Sequence, residues 1–237
     1  SNSCCKSIAT RIDSSLIVEN LKDKKYDLVI SRAVADMAKI SEYALPLVKK
    51  GGYFMPPYAK VSKEDILAAA LFILKKHGAD AINARALANR IGCSTQPIFS
   101  NFSNMEDLKY ELLNACAKRY RTYLKQELIL ERYPEYKASG MAYIRFAREE
   151  KELFKFLFMR DRSGETTDCM EEDFTDSVYY IHKELEISYD DAIMFHTEMW
   201  VFVHGIATML ATSYLDLTYD EISMILSDAY LGLRMRY

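Results

Sequence analysis

Glycine and proline are scarce, at 8 and 5 of 237 residues. A hairpin-based architecture needs both to turn its strands, so an all-β fold is disfavoured and a helix-rich chain implied. Cysteine is present but unpatterned: Cys4, Cys5, Cys93, Cys116 and Cys169 form no Cys-x-x-Cys pair, which argues for reduced thiols against a disulfide scaffold or zinc site. No apolar run approaches the ~20 residues that cross a bilayer, and no secretory leader is visible. No single charge dominates either. The formal net charge of −3 leaves nucleic acid open, because a small basic patch can sit inside a near-neutral total. The sequence offers no catalytic triad, no paired catalytic carboxylates and no metal-ligand ladder. The expectation is therefore a cytoplasmic protein with no catalytic residues, metal or cofactor, no membrane partner and no enzymatic role.

What is present falls into three regions. Residues 1–58 mix strand and helix signals: YDLVI (Tyr26–Ile30) reads as a strand, ADMAKISEYALPLVKK has helical spacing, and GGYFM reads as a turn into a second strand. That order is a partial βαβ-like extension, which cannot cover both faces of a sheet alone. The prolines of MPPYAK mark the boundary. Residues 59–104 read as three helices. Ser62 followed by Glu64 and Asp65 is a helix start, with Ile66, Ala69, Ala70, Ile73 and Leu74 on one stripe and Gly78 at its end. Residues 105–237 read as helices over about 105–130, 135–160, 171–186, 189–214 and 219–234. The predicted class is all-α behind that extension.

The decisive stretch is NARALANRIGCSTQPIFSNF, Asn83–Phe102. Its two halves are shorter than the ~12–15 residues at which an isolated helix becomes marginal, so they need a third element. Asn83 caps a helix to Ile91, Gly92 permits the reversal, and Ser94 caps a second helix with Pro97 in its first turn. Ile98 and Phe102 face inward against Ala88. This is a helix-turn-helix that displays Thr95, Gln96 and Pro97 at its exposed start, where such motifs meet base edges. The alternative is an ordinary three-helix piece with a solvated basic face formed by Lys60, Lys63, Lys75, Lys76, Arg85 and Arg90.

SKEDILAAALFILKKHGADAINARALANRIGCSTQPIFSNFSNMEDL resembles the DNA-binding domain of the tetracycline-repressor (TetR/AcrR) family of transcriptional regulators. The resemblance implies a homodimer on a palindromic double-stranded DNA operator. It also implies DNA contacts from Arg85, Ser94, Thr95, Gln96, Pro97, Phe99 and Asn101. Two positions depart from the family pattern: Phe99 replaces a tyrosine and Met105 a lysine, each removing a phosphate contact.

In the C-terminal region, HTEMWVFVHGIATMLATSY (His196–Tyr214) is apolar around much of its circumference, with His196, Trp200 and His204 on one stripe. Eight residues of helix separate the histidines by roughly 12 Å, too far to share a metal. Trp200, His204 and Gly205 resemble a ligand-domain motif of one branch of the same family. They stand either near an effector pocket or in plain core packing, and His196 reads as core. KELFKFLFMRD offers Phe154, Phe158 and Met159 as further pocket candidates, with a filled core as the alternative. The last helix presents Ile222, Ile225, Leu226, Ala229 and Leu233 as a seam. That seam suits either a two-fold four-helix bundle or an intramolecular core.

The stretches IATRIDSSL and KKYDLVISRAVADMAKISEYALPLVKKGGYF resemble the later part of glucose-inhibited-division-B type ribosomal RNA methyltransferases. The upstream glycine-rich loop by which those enzymes hold S-adenosylmethionine is not visible. The expectation is thus a truncated fusion or misplaced start rather than a working methyltransferase, and the opening Ser-Asn-Ser reads in part as a cloning remnant. The function expected is a regulator, a repressor released from its operator by an apolar small molecule of unknown identity. A degenerate effector-binding protein that has lost DNA affinity is the alternative.

Overall fold

The computed structural model describes residues 25–30, 44–55, 61–163 and 171–237. The chain divides into two units, Ser1–Val61 and Ser62–Tyr237. In the first, β1 (Tyr26–Ile30) pairs in parallel with β2 (Val48–Met55). Strand β2 starts earlier than the sequence suggests. A 3-10 turn at Leu45–Leu47 hands directly over to extended Val48, so Val48–Lys50 belong to the strand and not to a helix. Gly51 has φ +84°, and a Cβ on Gly52 would meet the Asp27 carbonyl at 2.8 Å. These two glycines therefore permit the register shift between Tyr26 and Leu28. The expected helix between the strands lies outside the described residues, as do Cys4, Cys5 and Cys169.

The second unit is helical. α1 (Lys63–His77) starts with a full capping box: the Ser62 hydroxyl accepts from the Asp65 amide while Asp65 accepts from the Ser62 amide. α2 (Ala84–Ile91) is capped by Asn83 and ends on Gly92, whose φ of +81° is left-handed. α3 (Gln96–Asn101) follows with its N-cap at Thr95, one residue later than predicted. Thr95 makes no side-chain cap bond, and the proline in the first turn needs none for its missing N–H. Ile66, Ala70, Leu74, Leu87, Ala88, Ile98 and Phe102 close the small core of this three-helix head.

α4 (Met105–Ile129) is capped by Asn104 and runs into the body. The single helix expected over 135–160 is two: α5 (Glu135–Glu149) and α6 (Lys151–Phe158), broken where Glu150 leaves helical geometry at φ −122°, ψ 53°. α7 (Glu171–Leu185), α8 (Tyr189–Ala211) and α9 (Tyr219–Arg234) complete the body. α5 lies centrally, against α4, α6, α7, α8 and α9. α8 is long and apolar enough, by length and composition, to cross a bilayer, contrary to the sequence expectation. Here its inner face (Phe195, Met199, Val203, Ala207, Leu210) is buried in protein. Ion pairs stitch the body to the head: Lys63 Nζ donates to Glu111 at 2.7 Å, and Lys75 Nζ to Glu150 at 2.8 Å.

Candidate functional site

The head presents a short helix to solvent. Gln96 and Phe99 of α3 are exposed, as are Ser94 in the turn and Arg85 at the start of α2. Thr95 and Pro97 are half-buried. Asn101 is less available than its position suggests, because its side-chain amide donates to the Pro97 carbonyl at 2.8 Å and secures the end of α3. The basic face is thinner than a count of residues implies. Lys63 and Lys75 are consumed by Glu111 and Glu150, and the Arg90 guanidinium stacks 3.8 Å above the Phe72 ring. Arg85 is exposed at the start of α2 and forms no ion pair among the described residues.

The body encloses a cavity of about 830 Å³ between α4, α5, α7, α8 and α9. Its walls are aromatic for a physical reason. α5 places Tyr136 and Tyr143 seven residues apart on one face, and α8 places His196 and His204 eight apart opposite them. Two matching cross-helix hydrogen bonds result: Tyr136 Oη with His196 Nδ1 and Tyr143 Oη with His204 Nδ1, both 2.8 Å. Burial pulls the His196 imidazole down to about 4 and pushes the Tyr136 phenol up. Both therefore stay neutral at pH 7. His204 is lowered and Tyr143 raised by the same cause. A Cβ on Gly140 would make ordinary contacts with Val203 of α8 and Leu226 of α9, at 3.5 Å.

Of the predicted pocket residues, Phe158 and Trp200 line this cavity. Phe154 does not. It is fully buried one layer back, 5.3 Å from the Phe158 ring. Met159 lies past the end of α6, 42% exposed. His204 also stands outside the lining and supports it, stacked on Trp200 at 5.2 Å. His196, read as core, is buried and lines the cavity too. Missed altogether were Tyr120, Tyr136, Tyr143, Tyr180 and Tyr230. The seven-residue spacing of Tyr136 and Tyr143 opposite two histidines was the available signal.

The predicted dimer seam is corrected in part. Ile222 and Leu226 are buried inside the protomer, and Ala229 and Leu233 pack against a core cluster containing Val178, Phe195 and Met199. Ile225 is half-buried. The apolar side chains left exposed are others: Val201, Phe202 and Met209 on α8, and Met224 and Leu231 on α9. Phe202, on the helix expected to be apolar around much of its circumference, is 43% exposed. Nothing lies within 4 Å of where a Cβ on Gly205 would sit. No second helix approaches it closely within one protomer. Among the described residues no cluster of metal-ligating side chains occurs.

The family model for the tetracyclin repressor-like C-terminal domain matches residues 136–225, the segment that contributes α5, α7 and α8 to the cavity and stops within the first half of α9. Residues 136–225 are thus a tetracyclin repressor-like C-terminal domain. The fold agrees. A TetR-like transcriptional regulator from Rhodococcus sp. RHA1 superposes with a TM-score of 0.56 at 13% identity, over 72% of this chain and 94% of that one. A protein of unknown function from the same organism gives 0.62 at 24% identity, over 75% and 98%.

A second family model, rRNA small subunit methyltransferase G, matches residues 4–90. The ribosomal RNA small subunit methyltransferase G of Clostridium botulinum (strain ATCC 19397 / Type A) is 48% identical over 46 residues, 19% of each chain. That of Lactobacillus acidophilus is 69% identical over 32 residues, 14% of this chain and 13% of the enzyme. The chain thus spans about a fifth, or less, of the curated relatives it matches. These matches correct the expectation of a chain without an enzymatic affiliation: its first part is similar to methyltransferase sequence, over a short fragment. The model match also runs beyond the first unit, through α1 and nearly to the end of α2.

Proposed function

We propose that the chain is a ligand-responsive DNA-binding regulator: a repressor released from a palindromic operator by a small molecule. The observation that carries this reading is one central helix serving both ends of the molecule. α5 lines the cavity with Tyr136 and Tyr143, and at the α5–α6 break Glu150 accepts from Lys75 of the head and Arg119 of α4. A ligand that displaces α5 pulls on the same carboxylate that ties down α1.

The active form is a homodimer, with α8 and α9 the interface. Supporting this are Val201, Phe202 and Met209 beside open Gly205, and Met224 and Leu231 on α9, an unusual amount of exposed apolar surface for one end of a protein. Arg85 and Gln96 carry the DNA contact, with Ser94, Thr95, Pro97 and Phe99 shaping it and Asn101 bracing α3. The chain works in the cytoplasm, where the operator is.

Mobility shift on the DNA upstream of its own gene, at two salt concentrations, tests the reading. Wild type binds; Arg85→Ala binds more weakly, with a salt slope shallower by roughly 1. Binding that is absent at low salt would leave an effector-binding protein without operator affinity. The methyltransferase likeness of residues 4–90 is a separate matter, tested by methyl transfer to ribosomal RNA.

A further inference from the structure

Six charged residues line the cavity: Glu135, Lys137, Arg162, Asp176, Glu184 and Arg234. Five of them are exposed at its mouth, where water screens both signs and little selectivity results. Lys137 differs. It is half-buried, held inside by its place in the first turn of α5 between the α4–α5 connection and α9. Its ammonium donates to Ser227 Oγ at 2.8 Å and lies 5.1 Å from the Tyr133 ring. Ser227 in turn donates to the Ser223 carbonyl at 3.1 Å, so the hydroxyl's own proton is committed elsewhere. No carboxylate lies within 4 Å of the Lys137 ammonium among the described residues. Elsewhere the body pairs its inward cations readily: Arg145 with Glu127 at 2.9 Å, Arg119 with Glu150 at 3.0 Å. A cation partly withdrawn from water, with a hydroxyl and a ring for company, is short of an anion. Burial lowers its pKa accordingly.

Resting on the ligand-responsive reading above, we propose that the cavity takes a lipophilic carboxylate: one negative charge received by Lys137 Nζ, on a flat body held among the tyrosine rings. One ammonium balances one charge. A dianionic phosphate would call for a second cation or a guanidinium fork, and the other two cations of the lining, Arg162 and Arg234, are exposed to water. The body of the ligand follows from the walls. Tyr120, Tyr143 and Phe158 meet edge-to-face at 5.7–5.8 Å or tilted at 4.7 Å, giving a rigid aromatic lining that suits a planar ring system. The Tyr136–His196 pair, both neutral, adds one uncharged polar contact.

The test is isothermal titration of the full chain with three probes of one shape: 2-naphthoate, 2-naphthamide and a naphthyl-trimethylammonium salt. 2-Naphthoate is expected to bind at least tenfold more tightly than the amide. Lys137→Met removes that preference while leaving amide affinity unchanged, which also shows that the variant is folded. Lys137→Arg retains most of it. Equal affinity for acid and amide, or tighter binding of the cation, overturns the carboxylate while leaving a ligand-responsive regulator intact. Failure of all three probes at millimolar concentration overturns the carboxylate and the cavity's role as effector site together.

Discussion

The Glu150 carboxylate receives Lys75 of α1 at 2.8 Å and sits in the break between α5 and α6. Its Oε1 also accepts two bonds from the Arg119 guanidinium, at 3.0 and 3.2 Å. Glu150 is only 10% exposed, its two cations nearly half. One largely buried anion therefore holds head, long helix and cavity wall in one arrangement.

Glu150→Gln keeps the shape and removes the charge. Charge-assisted bonds of this kind contribute about 1–2 kcal/mol net, so thermal unfolding is expected to move down by a few degrees. The more telling readout is coupling. In the variant, an effector that releases DNA from wild type is expected to release it less completely, measured by anisotropy of a labelled operator. Unchanged release would place the coupling elsewhere.

Glu127 is 2% exposed and is shared by Arg132 at 2.7 Å and Arg145 at 2.9 Å. Removing the anion leaves the Arg145 guanidinium without a carboxylate, with neutral Gln126 Oε1 at 2.8 Å as its remaining close acceptor and its Nε buried without a partner. Glu127→Ala is expected to cost about 3–5 kcal/mol. Urea titration decides it; a loss below ~1 kcal/mol would mean that Arg145 escapes to water.

The acid limb of stability has a named contributor. His196 titrates at about 4 in the fold, against roughly 6.5 in an unfolded chain. As pH falls through 6.5 the unfolded state takes the proton first, so it binds more protons than the native state and native stability declines. Below about 4 both states are protonated and the decline stops. The total is on the order of 3 kcal/mol. In His196→Asn this part of the slope is absent, so the stability gap between wild type and variant narrows between pH 6.5 and 4. A gap independent of pH in chemical denaturation would contradict the assignment.

Phe202 is 43% exposed, beside Val201 and near Gly205. Phe202→Glu puts a charge into the proposed two-fold contact and leaves the protomer core untouched. Sedimentation is expected to show a monomer, with helicity unchanged. A variant that remains dimeric would move the interface off α8.

The head was readable in the sequence because its signals are local. Caps at Ser62 and Asn83, a glycine at position 92 and a proline in the next first turn act within four residues of themselves. The cavity was not, because it depends on which face of α5 meets which face of α8, a matter of packing across sixty residues. Phe154 and Phe158 show the limit: four apart on one helix, both aromatic, one in the core and the other on the cavity wall. Ile222 and Leu226 show it again, since a regular apolar seam does not say whether its neighbour is α5 or a second copy. The break at Glu150 was hidden because the sequence runs on from Glu149 to Phe158 without a glycine or proline, and the ion pairs that Glu150 makes there reach residues 31 and 75 positions away.

The chain's single tryptophan, Trp200, forms part of the cavity wall and stacks on His204 with 19° between the rings. All indole emission from this protein therefore originates at that wall. Occupancy can be followed by intrinsic fluorescence, in unlabelled wild-type material, through quenching or a shift in colour as an incoming molecule replaces solvent against the indole.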